Sequence, residues 1–345
     1  DEQGRLIVEL DGKIVLDPPG SIELPILPLG FTIRPTLTWH VMADWTRRHE
    51  IEIAYLTDGI KWSADYVCVL DDKDESCAFT GWVTLNNRSG ATYENAKLKL
   101  IAGDVHISPA TVVPRSAAKV MMLGESKVDA LAQFREEPEF EYHTYTLSVR
   151  TTISDNQLKQ VQLLEAPNVV SKKLYLFENS EYRYPYDSNL YPGQKEISNA
   201  KTVLEIINND KSGLGIPLPA GRVRVYKDLP DESMDFIGEN KISHTPRDET
   251  IRLYIGDAFD IIGERIVTDF QIVDDIREEA YCVKIKNKKD EDINVTLIEK
   301  LYGDWTISSP ISFEKCDANT AVFEIEVPKN SEVEILFRVH TKIES

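Results

Sequence analysis

Short apolar runs punctuated by turn residues set the rhythm of this chain, and that rhythm constrains its fold more than any other feature. The first half carries them at Leu6 to Leu10, Ile14 to Leu16, Ile51 to Leu56, Tyr66 to Leu70, Trp82 to Leu85, Lys97 to Ile101 and Thr144 to Val149. The second half repeats them at Thr202 to Ile207, Arg222 to Tyr226, Ile251 to Ile255, Tyr281 to Lys286, Val295 to Leu301, Val322 to Val327 and Val333 to Val339. Gly, Pro, Asp and Asn separate the runs. Branched and aromatic residues in short alternating stretches with regular turns predict antiparallel sheets packed as sandwiches or barrels, not helices wound around a parallel sheet.

The chain has 345 residues, more than one sandwich uses, and two cores are expected. The Pro-bearing approach at Ala166-Pro167 places the division near residue 170. The expected architecture is therefore all-β, with two β-sandwich-like domains at 1–170 and 171–345, the second immunoglobulin-like. One stretch departs from the rhythm. Ser116 to Phe134 has Val120, Leu123, Val128, Leu131 and Phe134 near helical spacing, interrupted by Gly124 and bounded by Pro114 and Pro138. It predicts a short helical or mobile insertion near 115–135, within the bounds 115–138.

Three segments share one local pattern, a strand that ends in Asn and returns: Gly81 to Gly90, Val203 to Gly213, and Tyr281 through Asn287 to Val295. Their recurrence predicts related hairpins, with Asn and Gly in place to accept left-handed backbone. Cys68, Cys77, Cys282 and Cys316 lack zinc-site spacing and are too few for a disulfide framework, so free buried thiols are expected. A hairpin turning at Asp71 to Ser76 would set Cys68 opposite Phe79 and leave Cys77 diagonal to it, a poor geometry for a bond. Trp62, Trp82 and Trp305 are expected to serve the cores.

Charge excludes one class of partner. With 58 acidic and 39 basic residues the formal charge is −19, which repels phosphate backbones, and the short basic stretches at Arg47-Arg48 and Lys288-Lys289 sit beside acids. No apolar run approaches the ~18 residues of a membrane helix. Nucleic acid and a membrane span are not expected.

The sequence also lacks a Gly-x-Ser-x-Gly elbow, a His-Glu-x-x-His helix, a phosphate loop and a dinucleotide fingerprint, so no cofactor is expected and no catalytic residue is assigned. Gly213-Leu-Gly215 is a turn. Three groups remain as binding candidates. Glu141, His143 and Tyr145 share one face of a strand and bring together a carboxylate, an imidazole and a phenol. Tyr182, Tyr184, Tyr186 and Tyr191 crowd a proline-stiffened loop that could contact protein or glycan. Asp71, Asp72, Asp74 and Glu75 put four carboxylates in one hairpin tip, an oxygen-rich loop of the kind that can hold calcium and also an ordinary solvated turn.

Tyr55-Leu-Thr-Asp-Gly-Ile-Lys-Trp-Ser-Ala-Asp-Tyr66, Gly81 to Asp104, Glu141 to Leu147, Ser154-Asp-Asn-Gln157, Gly215 to Tyr226, Gly256-Asp-Ala-Phe-Asp260 and Leu301-Tyr-Gly-Asp-Trp305 together form a further pattern. They resemble the bacterial proteins related to the mucoidy inhibitor, which contain domain of unknown function 4139, across nearly the whole chain. The resemblance implies a bacterial origin, a β-rich fold and a further amino-terminal β-rich region, and it carries over no catalytic set or cofactor. Residue 1 is Asp, which fits a start before a domain boundary. The expected function is a non-enzymatic binding or structural module contacting protein or glycan, with a hydrolase using carboxylate or His-centred chemistry as the alternative. Extracytoplasmic and cytoplasmic locations both accord with it.

Overall fold

The computed structural model describes residues 7–10, 12–16, 38–103, 134–139, 142–179, 191–231 and 233–342. Its first unit, Asp1–Leu56, contains a hairpin of β1 (Ile7–Leu10) and β2 (Lys13–Leu16) turning at Gly12. The run Ile51 to Leu56 forms no strand and stays largely exposed. Alternation supplies a face but not a partner, and an extended segment becomes a strand only when a neighbour satisfies its backbone groups.

The second unit, Thr57–Ser345, begins with β3 (Ile60–Leu70), β4 (Ser76–Asn87), β5 (Tyr93–Ala96), β6 (Lys99–Ala102), β7 (Phe134–Glu139) and β8 (Tyr142–Leu147). It continues with β9 (Thr151–Ile153), β10 (Gln157–Val170), β11 (Lys172–Glu178), β12 (Lys195–Ile207), β13 (Gly221–Asp228), β14 (Met234–Ile242) and β15 (Thr250–Val273). The last strands are β16 (Ile276–Asn287), β17 (Ile293–Lys300), β18 (Asp304–Ser308), β19 (Glu314–Asp317), β20 (Thr320–Val327) and β21 (Ser331–Lys342). The fold is all-β. Among the described residues the one helical element is a single 3-10 turn at Asp210–Ser212, and no helix is long and apolar enough to cross a membrane. The expected insertion lies outside the described residues up to 133; its last residues, from Phe134, belong to β7.

Two large sheets organise the unit. A five-stranded sheet runs β10-β4-β3-β13-β14, and a nine-stranded sheet runs β18-β21-β16-β15-β12-β11-β17-β20-β19. Pairing is antiparallel except for β3 with β13 and β11 with β17. A small sheet β6-β8-β7 adds a further layer. Alternation selects the inner faces: β4 buries Cys77, Phe79, Val83, Leu85 and Asn87 and turns Trp82 outward, half-buried.

The first core combines Tyr66, Phe79 and Leu85 with Leu204, Ile206, Val223, Val225, Ile251 and Leu253. The second core gathers Tyr281, Phe323 and Phe337, the two phenylalanine rings 5.4 Å apart, where the nine-stranded sheet folds back on itself. One face of β12 serves both, with Ala200 in the second core and Leu204 and Ile206 in the first. Trp305 is buried and donates its indole N–H to the Ala318 carbonyl at 2.6 Å, while Trp62 packs partly buried against the first core. Cys68, Cys77 and Cys282 are free and buried; Cys316 is free but exposed.

Pro167 sits within β10 and not in a linker. Pairing with β4 slips between Ala166 and Val169, and β10 is an edge strand, the two settings in which a sheet tolerates the missing N–H.

The three Asn segments share one device but are not the expected hairpins: β4 does not pair with β5, nor β12 with β13, nor β16 with β17, so each Asn corner sends the chain on to a strand that is not its neighbour. Asn87, Asn208 and Asn287 each follow the last inward residue of a strand by two, and each is fully buried. The Asn87 amide reaches the carbonyls of Ala91, Ile153 and Ser154; that of Asn287 reaches Glu291, Val327 and Pro328; that of Asn208 reaches Ile216, Thr245 and Pro246. None of the three has positive φ. They are not left-handed turn residues but staples that satisfy the carbonyls of two converging loops.

Candidate functional site

The second staple departs from the other two. Asn87 and Asn287 close on a residue four positions later, whereas Asn208 closes on Ile216, eight positions later. The extra residues form the 3-10 turn, capped by Asn209, and then Gly213 and Gly215 with φ of +91° and +65°. A Cβ at Gly213 would stand 2.4 Å from the Asn168 carbonyl, and one at Gly215 would stand 2.0 Å from Asp210 Oδ1. The loop holds its course because both positions are glycine.

That excursion builds one wall of a cavity of about 390 Å³, lined by Gly213, Leu214 and Ile216, by Phe134, Glu136 and Tyr145 of β7 and β8, and by Leu163 to Ala166 of β10. A register shift between Gln162 and Leu164 accompanies the burial of both Leu163 and Leu164. Such bulges re-aim side chains. In the β7–β8 hairpin Glu136 pairs with Tyr145 and Pro138 with His143, so Glu136 and His143 are diagonal neighbours, and His143 Nδ1 lies 2.7 Å from Glu136 Oε1. Tyr145 is buried and donates its hydroxyl to the Pro217 carbonyl at 2.9 Å. Burial, followed by the nearby Glu136 carboxylate, pushes the phenol well above its ordinary range and keeps its proton on that bond.

The sequence candidates divide. His143 and Tyr145 come together with Glu136, with Tyr145 turned into the core. Glu141, Tyr182, Tyr184 and Tyr186 lie outside the described residues, and Tyr191 is exposed beside the turn at Pro192. The hairpin tip has internal work: Asp71 accepts from the Glu75 N–H and the Ser76 hydroxyl, and Asp74 takes the ammonium groups of Lys173 and Lys227 at 2.5 Å each. Asp72 and Glu75 face solvent. Among the described residues no three His, Cys, Asp or Glu side chains gather as a metal site. A cavity of about 570 Å³ beside this tip has the ion-paired Lys173 and Asp74 in its lining, together with Glu291, whose carboxylate is held by Lys289.

Glu136, Glu165, Leu163 and Leu214 escaped the sequence reading. The visible signal was Phe134-Arg-Glu136 alternating ahead of Pro138, hidden because Phe134 also completed a helical spacing. Among known proteins, no family model matches the chain and no curated protein matches it.

Proposed function

We propose that the chain is a non-enzymatic binding module of a bacterial protein, with its second core an immunoglobulin-like sandwich, and that it contacts a partner protein through the cavity beside Leu214. The observation that carries this reading is the local departure at Asn208: of three equivalent corners, the one that lengthens does so to wall an apolar cavity. Scaffolds keep their corners short and place recognition on the loops that vary. Leu163, Leu164, Leu214 and Ile216 make most of the wall aliphatic, with Phe134 and Tyr145 as its two rings, and a mainly aliphatic concavity favours a protein side chain over a glycan, which selects for flat aromatic platforms. A photo-crosslinking residue at position 165, exposed on the cavity rim of the full chain, should capture a partner that the same chain carrying Leu214→Trp, with unchanged melting, no longer captures. Capture unaffected by filling the cavity would reject the reading.

The Glu136–His143 pair supports a second reading, a hydrolase in which the two groups move a proton. Turnover on an ester, glycoside and peptide panel that Glu136→Gln and His143→Gln abolish without loss of folding would establish it. The binding reading expects no such turnover.

A further inference from the structure

We infer that the cavity beside Leu214 accepts the side chain of a lysine presented by a basic partner segment, an inference that rests on the binding role proposed above. Its interior is apolar, formed by Phe134, Leu163, Leu164, Ala166, Leu214 and Ile216, while its acidic groups are Glu136 and Glu165. No Lys or Arg of the described residues lines it. An aliphatic stem with a cationic tip matches that division, since long basic side chains bury their methylenes and keep the charged head at a polar rim.

The acidic groups are arranged for a cation. Glu136 is fixed by His143 at Oε1, and Glu165, exposed at the rim, accepts from the Gln162 amide at 2.9 Å. Tyr145 donates its hydroxyl to the Pro217 carbonyl, so the phenol has no donor to offer an anion. Ammonium fits better than guanidinium. A planar fork binds a carboxylate through both oxygens, and His143 already occupies one oxygen of Glu136. The overall charge of −19 adds a long-range attraction for basic segments.

The test uses the full chain and three probes: Nα-acetyl-lysine methylamide, its arginine counterpart, and the uncharged norleucine analogue. Titration followed by amide NMR should show the lysine probe binding about tenfold more tightly than norleucine, the worth of one charged hydrogen bond, with shifts at Leu214 and Ile216. Arginine should fall between them. Glu136→Gln, nearly isosteric, should erase the preference while leaving norleucine binding intact, and Glu165→Gln should reduce it in part. Equal binding of lysine and norleucine would overturn the lysine assignment and leave the cavity as a binding site. Absence of shifts from every probe would overturn the assignment together with the binding role.

Discussion

The two cores of the second unit are built from different lengths of chain. The second draws its buried residues from Tyr175 to Val339 alone, whereas the first, begun by Ala64 to Val169, needs Leu204, Ile206, Leu218, Val223, Val225, Ile242, Ile251 and Leu253 from beyond β11. The excursion between β12 and β15 carries β13 and β14 into the five-stranded sheet, where β13 lies parallel to β3. A parallel partner cannot come from a tight hairpin, so it must arrive through a long connection. The first core therefore needs the second half of the chain, whereas the second core takes no buried residue from before Tyr175.

Cutting the chain at residue 170 should give the largest effect. Residues 171–345 keep the second core whole and should melt cooperatively, while residues 1–170 lack two strands and one wall of their core and should not. A cooperative transition in 1–170 would show that the first core closes without β13 and β14.

Next comes the buried pair that ties β15 to β17. Arg265 donates twice to Glu299 at 3.0 Å, lies over the Tyr281 ring at 3.7 Å, and Asn179 donates to the same carboxylate. Glu299→Ala strands a buried guanidinium and should destabilise by about 3–5 kcal/mol, whereas the joint change Arg265→Met with Glu299→Leu should cost far less. If chemical denaturation finds the double variant as weak as the single one, the pair contributes more than mutual neutralisation.

The staples should show smaller, graded losses. Asn87→Ala and Asn287→Ala leave buried carbonyls unpaired and should cost about 1–3 kcal/mol each. Their side-chain oxygens also accept from Ser89 and Lys289, while Asn208 Oδ1 is buried without a partner. Asn208→Ala should therefore cost less than either, and a greater loss would show that the longer loop depends on it more.

Asp74 gives the smallest effect, at the tip that links β3–β4 to β11 and β13. Burial alone would raise its carboxyl, but hydrogen bonds from Lys173 and Lys227 outweigh that and hold it below its ordinary value. Its contribution is present above the unfolded value of about 3.9 and fades as pH falls through the lower folded value. The melting difference between the protein and Asp74→Asn should thus shrink below about pH 4; a constant difference would assign the tip's stability to packing.

Most strand positions were legible because a strand's inner face is a local pattern. Tyr66 to Leu70 and Val322 to Val327 fall inside observed strands as read. Strand β10 was not legible, since its alternation is polar and Pro167 argued for a linker; only its position at a sheet edge makes that proline acceptable. Of the site, His143 and Tyr145 were visible as a row on one strand, but Glu136, which hydrogen-bonds to His143, sits on the preceding strand.

By itself the sequence determined the all-β class, the three recurring Asn corners and the acidic character, because period, turn chemistry and charge are properties of neighbouring residues. Only the tertiary structure decided that the Asn side chains are buried staples, that β13 crosses into the first core, and that the lengthened corner at Asn208 faces Glu136. Those outcomes depend on contacts between residues far apart in sequence, such as Tyr145 with Pro217, and a pairing across that separation leaves no periodic trace in either segment.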